Sequence, residues 1–415
     1  MKNIGFFLLP AFLFLFATCE KNPVTPNPID DLPDIAGYPI VGTHQTVAYN
    51  NQTEMAVPGI GDAFYGQNAN YQGIAPSYKD NGNGTITDLV TGLMWSKTPD
   101  MDEDGDIDVA DKMTADDAVA FAASYKVGGY TDWRLPTIKE LYSLIIFSGV
   151  DPSGYEGTST SGLFPFINTD YFDFAYGDTD AGERIIDAQY ATTSMYVDGN
   201  LLFGVNFADG RIKGYGLQMP FGSGEKTFFV MYVRGNTTYG ENDFTDNGDG
   251  TITDKATNLM WMQDDNGAGV YWEEALTYAE NFEYAGYTDW RLPDVKELQS
   301  IVDYTRSPGT THSAAMDPLF HCTEMINEAG QSDYPFFWSS TTHSNWTNMA
   351  GNHAAYVSFG RALGYMSDWV DVHGAGAQRS DPKTGDPADF STGFGPQGDA
   401  IRIYNYVRLV RTIQN

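Results

Sequence analysis

The sequence predicts an α+β fold that is built twice. Three observations carry this. Residues 129–145, GYTDWRLPTIKELYSLI, and residues 286–302, GYTDWRLPDVKELQSIV, agree at twelve of seventeen positions. Each copy lies in the same order of segments: a turn between strands, a helix, the shared motif, a second helix, long loops and closing strands. The composition has 44 Gly, 26 Tyr and 25 Phe but only 19% charged residues, which suits loop-rich β structure better than a helical cytosolic enzyme.

The elements follow in chain order. Lys2 and the apolar run 4–16, IGFFLLPAFLFLF, make a targeting segment too short for a stable membrane span. It ends in FATC, which resembles a bacterial lipobox and makes Cys19 the expected lipidated residue. Phe16 fits the first lipobox position poorly, so ordinary secretion is the alternative. The Pro/Asn/Asp-rich stretch that follows favours a lipid-anchored tether. The expected divisions are a signal peptide over 1–19, a tether and N-terminal extension over 20–59, a first domain over 60–237 and a second over 238–415.

DNGNGTITDLVTGLMW (80–95) and DNGDGTITDKATNLMW (246–261) open the two copies. The Asn-Gly clusters mark tight turns, Thr-Ile-Thr begins one strand and Leu-Met-Trp a second. Amphipathic helices are expected near 114–126, with Thr114 and Asp117 as an N-cap pairing, and near 271–283. After Trp-Arg-Leu-Pro come second helices, where Thr137 with Glu140 and Asp294 with Glu297 fit capping boxes. Ile138, Leu141 and Ile145 share one face. Trp133 and Trp290 are expected core anchors. Arg134 and Arg291 should pair with a carboxylate or with loop carbonyls, Glu140 and Glu297 being the candidates unless capping uses them. FVMYVRG (229–235) parallels YNYVRLV (404–410) as the closing strand.

This order, with Trp-Arg-Leu-Pro before the second helix and a final YVRLVR strand, resembles the Lcl C-terminal domain family over about 60–235 and 240–415. The resemblance implies two tandem C-type lectin-like domains, each with two helices, short antiparallel strands and long loops. It also implies a binding or adhesion role. The family includes an adhesin for sulfated glycosaminoglycans. Here 55 Asp+Glu stand against 23 Lys+Arg, and a net charge of −32 argues against that ligand, nucleic acid and anionic headgroups.

The strongest chemical motif is DMDEDGDIDVAD (100–111). Asp100, Asp102 and Asp104 take positions 1, 3 and 5 of a twelve-residue calcium loop, and Gly105 the turn at position 6. Asp106, Asp108 and Asp111 take positions 7, 9 and 12. The bland alternative is a solvated acidic loop. Asp80 to Trp133 spans 133 − 80 = 53 positions, whereas Asp246 to Trp290 spans 290 − 246 = 44, so the loop is an insertion in the first copy. Calcium is therefore expected as a structural brace, not a catalyst. DNGNGTITD and DNGDGTITD lack both end ligands and are read as hairpin turns.

His312, His321, His343, His353 and His373 show no metal-ligand spacing, and Cys322 is expected buried and inert. The sugar-binding triplets of calcium-dependent lectins are absent, so sugar contact would rest on aromatic residues in loops 150–225 and 310–400; aromatic loop cores explain these residues equally well. No nucleophile, metalloprotease or phosphate-loop motif occurs. The expectation is a non-enzymatic, lipid-anchored binding or adhesion protein of the bacterial envelope, at the outer membrane or cell surface, with glycan or surface-protein ligands. An envelope enzyme acting on polysaccharide is the alternative.

Overall fold

In a computed structural model the described residues, apart from Met1, are 37–199, 201–219 and 224–413. Residues 2–18 of the targeting segment, Cys19 and the first part of the tether, residues 20–36, lie outside them. No helix among the described residues is long and apolar enough to cross a membrane.

Among the described residues the fold is mixed, mostly small antiparallel sheets with four α-helices. The opening repeats each form the expected hairpin. Thr85–Asp88 pairs with Leu93–Ser96, and Thr251–Asp254 with Leu259–Met262. Gly82 and Gly84 take φ of 71° and 83° in the first turn, a backbone that non-glycine side chains resist. Each hairpin belongs to a four-stranded sheet of the same order. One runs Val233–Gly235, Leu93–Ser96, Thr85–Asp88, Tyr78–Asp80; the other runs Val410–Thr412, Leu259–Met262, Thr251–Asp254, Phe244–Asp246.

The helices match the expected positions but are shorter: α1 Ala115–Ala122, α2 Ile138–Tyr142, α3 Trp272–Glu280 and α4 Val295–Ser300. Thr137 and Asp294 form the predicted capping boxes with Glu140 and Glu297. Ile138, Leu141 and Ile145 are all buried.

The closing strand needs a correction of register. Val233 lies opposite Trp95, and Val410 lies opposite Trp261. The counterpart of Arg234 is thus Arg411, not Arg408. VRLVR offers Val-Arg twice, and only the pairing of Val410 with Trp261 separates them. Arg408 turns into the core, where its guanidinium donates to the carbonyls of Met262, Gln263 and His321 at 2.9, 2.5 and 2.6 Å. Arg411 instead pairs with Asp289 at 2.7 Å, as Arg234 pairs with Asp132 at 2.8 Å.

The described residues on the two sides of the sequence boundary near 237 fall in one compact unit. A six-stranded sheet runs Phe336–Thr342, His353–Ser358, Gln378–Pro382, Arg211–Gly216, Leu201–Asn206, Gln189–Tyr190, three strands from each half. Gln378 faces Ile212 where the halves meet. One apolar core spans both halves and includes Leu141, Val205, Leu298 and Val357. Each half adds a satellite core, around Trp133 in the first and Trp290 in the second.

Candidate functional site

The repeated motif has a structural use for its Arg and Glu side chains and for the cap residue between them. The Arg134 guanidinium grips Glu140 with two bonds, at 2.7 and 2.5 Å, and Arg291 grips Glu297 at 2.6 and 2.6 Å. The same carboxylates accept the cap amides of Thr137 and Asp294 at 2.8 and 2.9 Å. Capping and pairing are therefore not alternatives. The Arg134 backbone also exchanges both hydrogen bonds with Val233, at 3.0 and 2.9 Å, and Arg291 does so with Val410, at 2.9 and 3.0 Å. Trp133 and Trp290 are buried, as expected.

The acidic loop is divided. Asp100, Asp102 and Asp104 bring carboxylate oxygens within 4.8 Å of one another, and no other such group of three forms among the described residues. Asp108 instead caps the short turn Val109–Asp111, and Asp111 accepts the amides of Met101, Asp102 and Asp108 at 2.6, 3.4 and 2.9 Å. Asp106 gives its amide to Asp104 at 2.9 Å. Asp102 receives the Asp104 amide, which lowers its pKa, yet slight desolvation and the carboxylates of Asp104, Asp111 and Asp100 raise it on balance. Asp100 Oδ1 is buried without a hydrogen-bond partner, the state a cation would relieve.

The histidines assemble no ligand set. His343 stacks on Phe166, with ring centroids 5.4 Å apart, and its Nε2 lies 2.9 Å from the Asp209 carbonyl. His373 is locked to Asp399 at 2.7 Å, beside Arg379. Cys322 is half-buried, and burial pushes its thiol up to about 12, which makes it a poor nucleophile.

A cleft forms where the second half departs most from the first. The first half crosses from Arg211–Gly216 to Val233–Gly235 by a short connection. The second half inserts the hairpin Leu363–Tyr365/Trp369–Asp371 before Gln378–Pro382, its counterpart of Arg211–Gly216, and the turn Pro387–Phe390 before its closing strand. These segments enclose a cavity of about 390 Å³ whose walls carry Phe336, Trp369, Phe390, Tyr404 and Tyr406.

Its base is fixed by polar contacts. Arg402 lies 3.7 Å over the Phe336 ring and holds Glu328 at 2.8 and 3.1 Å. Burial works against the Glu328 charge, but Arg402 outweighs it and lowers that pKa. Asp381 accepts the amides of Arg402 and Ile403, each at 3.1 Å, and the Asn405 side chain at 3.0 Å. Burial still pushes Asp381 up to about 6. Ile403 is held at φ 62°, a strained conformation for a β-branched residue that these bonds overdetermine. The Asn405 side-chain oxygen is buried beside the cleft without a partner. Tyr404 is 41% exposed and its hydroxyl meets that of Tyr271 at 2.6 Å.

Sequence reasoning pointed to aromatic residues in loops 310–400 but singled out none of these. Their one local signal is the length of the second half's insertion. Comparison with known proteins finds that the Lcl C-terminal domain family matches residues 84–234 and 250–373. No curated protein and no solved structure matches the chain.

Proposed function

Because the chain belongs to the Lcl C-terminal domain family, we propose that it is an exported, lipid-anchored binding protein of the bacterial envelope whose ligand surface is the aromatic cleft of its second half. The membrane partner is reached through Cys19, which places the protein at the outer membrane or cell surface. Two C-type lectin-like units in tandem are the corresponding reading of the fold, supported by the two sheets of identical strand order. The observation that carries the proposal is the 390 Å³ cavity with five aromatic residues in its walls. Such rings offer flat apolar faces to a sugar or to a peptide side chain.

The ligand is an uncharged glycan in preference to a polyanion. Arg402 is spent on Glu328, and a net charge of −32 repels sulfated chains. A binding role is favoured over hydrolysis because Glu328, the carboxylate in the cleft wall, is engaged by Arg402. Asp100, Asp102 and Asp104 would hold a structural calcium, which would neutralise the carboxylates that crowd one another there.

The test is calorimetric titration of the soluble protein with neutral and sulfated oligosaccharides, with a parallel assay for released reducing ends. Saturable binding of a neutral glycan, weakened at least tenfold by Trp369→Ala and without turnover, supports the reading. Preference for sulfated chains, or turnover, contradicts it.

A further inference from the structure

Internal repetition lets each half serve as a control for the other. In the second half, the face beside Arg291 is covered by this chain's own residues 64–71. Phe64 stacks on Trp272 with centroids 6.4 Å apart. The Asn68 amide donates to the Ser340 carbonyl at 3.0 Å, and its side-chain oxygen accepts from Thr341 Oγ1 at 2.8 Å. The Tyr71 hydroxyl donates to Glu280 at 3.0 Å. Gly66, at φ 95°, passes so close that a Cβ would come 2.7 Å from Glu280 Oε1. Beneath this segment Leu276, Ser340 and Asp294 are 1%, 3% and 4% exposed.

The same face exists in the first half. The repeat places Val119, Thr193 and Thr137 at the positions of Leu276, Ser340 and Asp294. Hydrogen bonds establish the equivalence. Thr193 N–H donates to the Pro136 carbonyl at 2.8 Å, as Ser340 does to Pro293 at 2.8 Å. Ile138 N–H donates to Ser194 Oγ at 3.0 Å, as Val295 does to Thr341 Oγ1 at 3.1 Å. Yet here the face is bare. Val119 is 55% exposed, and Thr137 and Thr193 are also exposed. A groove of about 370 Å³ opens between Val119, Ala122, Arg134, Leu135 and Thr193.

We propose that this groove is a docking site for a turn-forming, uncharged peptide segment of a partner protein, with an aromatic residue followed four positions later by Asn. The segment seated on the equivalent face defines that chemistry. The Thr193 carbonyl and the Ser194 hydroxyl stand where Ser340 and Thr341 engage Asn68, so a main-chain amide and a side-chain carbonyl are read in the same way. Ala115 replaces Trp272 and leaves room for the aromatic ring over Val119 and Ala122. Ala123 replaces Glu280, so the Tyr71 hydroxyl contact is not reproduced and no residue is required there. Arg134 is neutralised by Glu140, so the groove does not call for an acidic peptide.

The probe is a fluorescein-labelled synthetic peptide of residues 63–73, AFYGQNANYQG, titrated against the whole soluble protein by anisotropy. Saturable binding, at least tenfold weaker for Val119→Glu at unchanged melting temperature and at least tenfold weaker for a peptide with Phe64→Ala, is the expected result. No saturable binding, or binding indifferent to Val119→Glu, overturns the proposal. Self-association that Val119→Glu abolishes would make a second copy the occupant and also overturn it. Binding that emerges only after removal of residues 20–36 would assign the groove to this chain's own tether, again overturning it.

Discussion

Lys139 and Lys296 hold the same place in the two repeats, and each donates its ammonium to the helix end of the opposite half. Lys139 reaches the Ser300 carbonyl at 2.7 Å, and Lys296 reaches those of Ser143 and Ile145 at 2.8 and 2.9 Å. Helix C-termini carry unpaired carbonyls and partial negative charge, so each repeat completes the other's helix. Burial pushes Lys139 down to about 8 and Lys296 to about 7. With a shared sheet and a shared core, these crossed contacts make the duplication one folding unit. Differential scanning calorimetry should therefore show a single transition, with van't Hoff and calorimetric enthalpies in agreement. Two resolved transitions would mean that the halves melt as separate domains.

The Arg–Glu clasps should be structural, and their burial ranks them. Arg134 has a side chain 30% exposed over a Glu140 that is 1% exposed, while Arg291 and Glu297 are 12% and 10% exposed. Removing one member of a buried pair strands the other, at about 3–5 kcal/mol when burial is complete. Solvent reaching Arg134 reduces that, so Arg134→Met should cost about 2–3 kcal/mol. Arg291→Met should cost more. Urea denaturation measures both, and an unchanged midpoint for either would contradict the assignment.

Much of this clasp was legible in the sequence, because it is local. The Thr137–Glu140 and Asp294–Glu297 spacings announce capping boxes, and an arginine six residues before each glutamate is within reach. The closing register was not legible. Val407–Arg408 and Val410–Arg411 look alike in one dimension, and only the contact of Val410 with Trp261 chooses between them. The pairing of Gln378 with Ile212 that joins the halves has no local signature either. The cleft was legible only as a long, aromatic-rich insertion. Its shape depends on Asp381, Arg402 and Phe336, which lie far apart in sequence and meet only after folding.

Calcium should stabilise the whole chain through the Asp100 loop. Chelator should lower the melting temperature of the wild-type protein, and Asp100→Asn should lower it while abolishing the response to chelator. Equal melting with and without chelator would remove the metal from the account. The readout belongs on the full chain, because the halves share a core.

His343 supplies a pH signature. Burial, and then the nearby Arg211 charge, push its pKa down to about 3. An unfolded chain takes up that proton near pH 6.5. Between these values the unfolded state binds more protons, so this residue's contribution to stability is full above about 6.5 and is lost as pH falls. The wild-type advantage over His343→Phe should shrink by about 1.4 kcal/mol per pH unit between pH 6 and 4. Parallel stability profiles would contradict this.

The central claim is that the repeated Trp-Arg-Leu-Pro motif builds the fold, while the second half's insertion binds the ligand. A crossed comparison of Trp369→Ala with Arg134→Met tests it most directly, with neutral-glycan affinity and melting temperature measured on the same preparations. Trp369→Ala should lose at least tenfold in affinity and melt as wild type does. Arg134→Met should melt lower yet bind with wild-type affinity at temperatures where it is folded. Lost binding with unchanged melting in Arg134→Met, alongside full binding in Trp369→Ala, would make the motif the site and contradict the account.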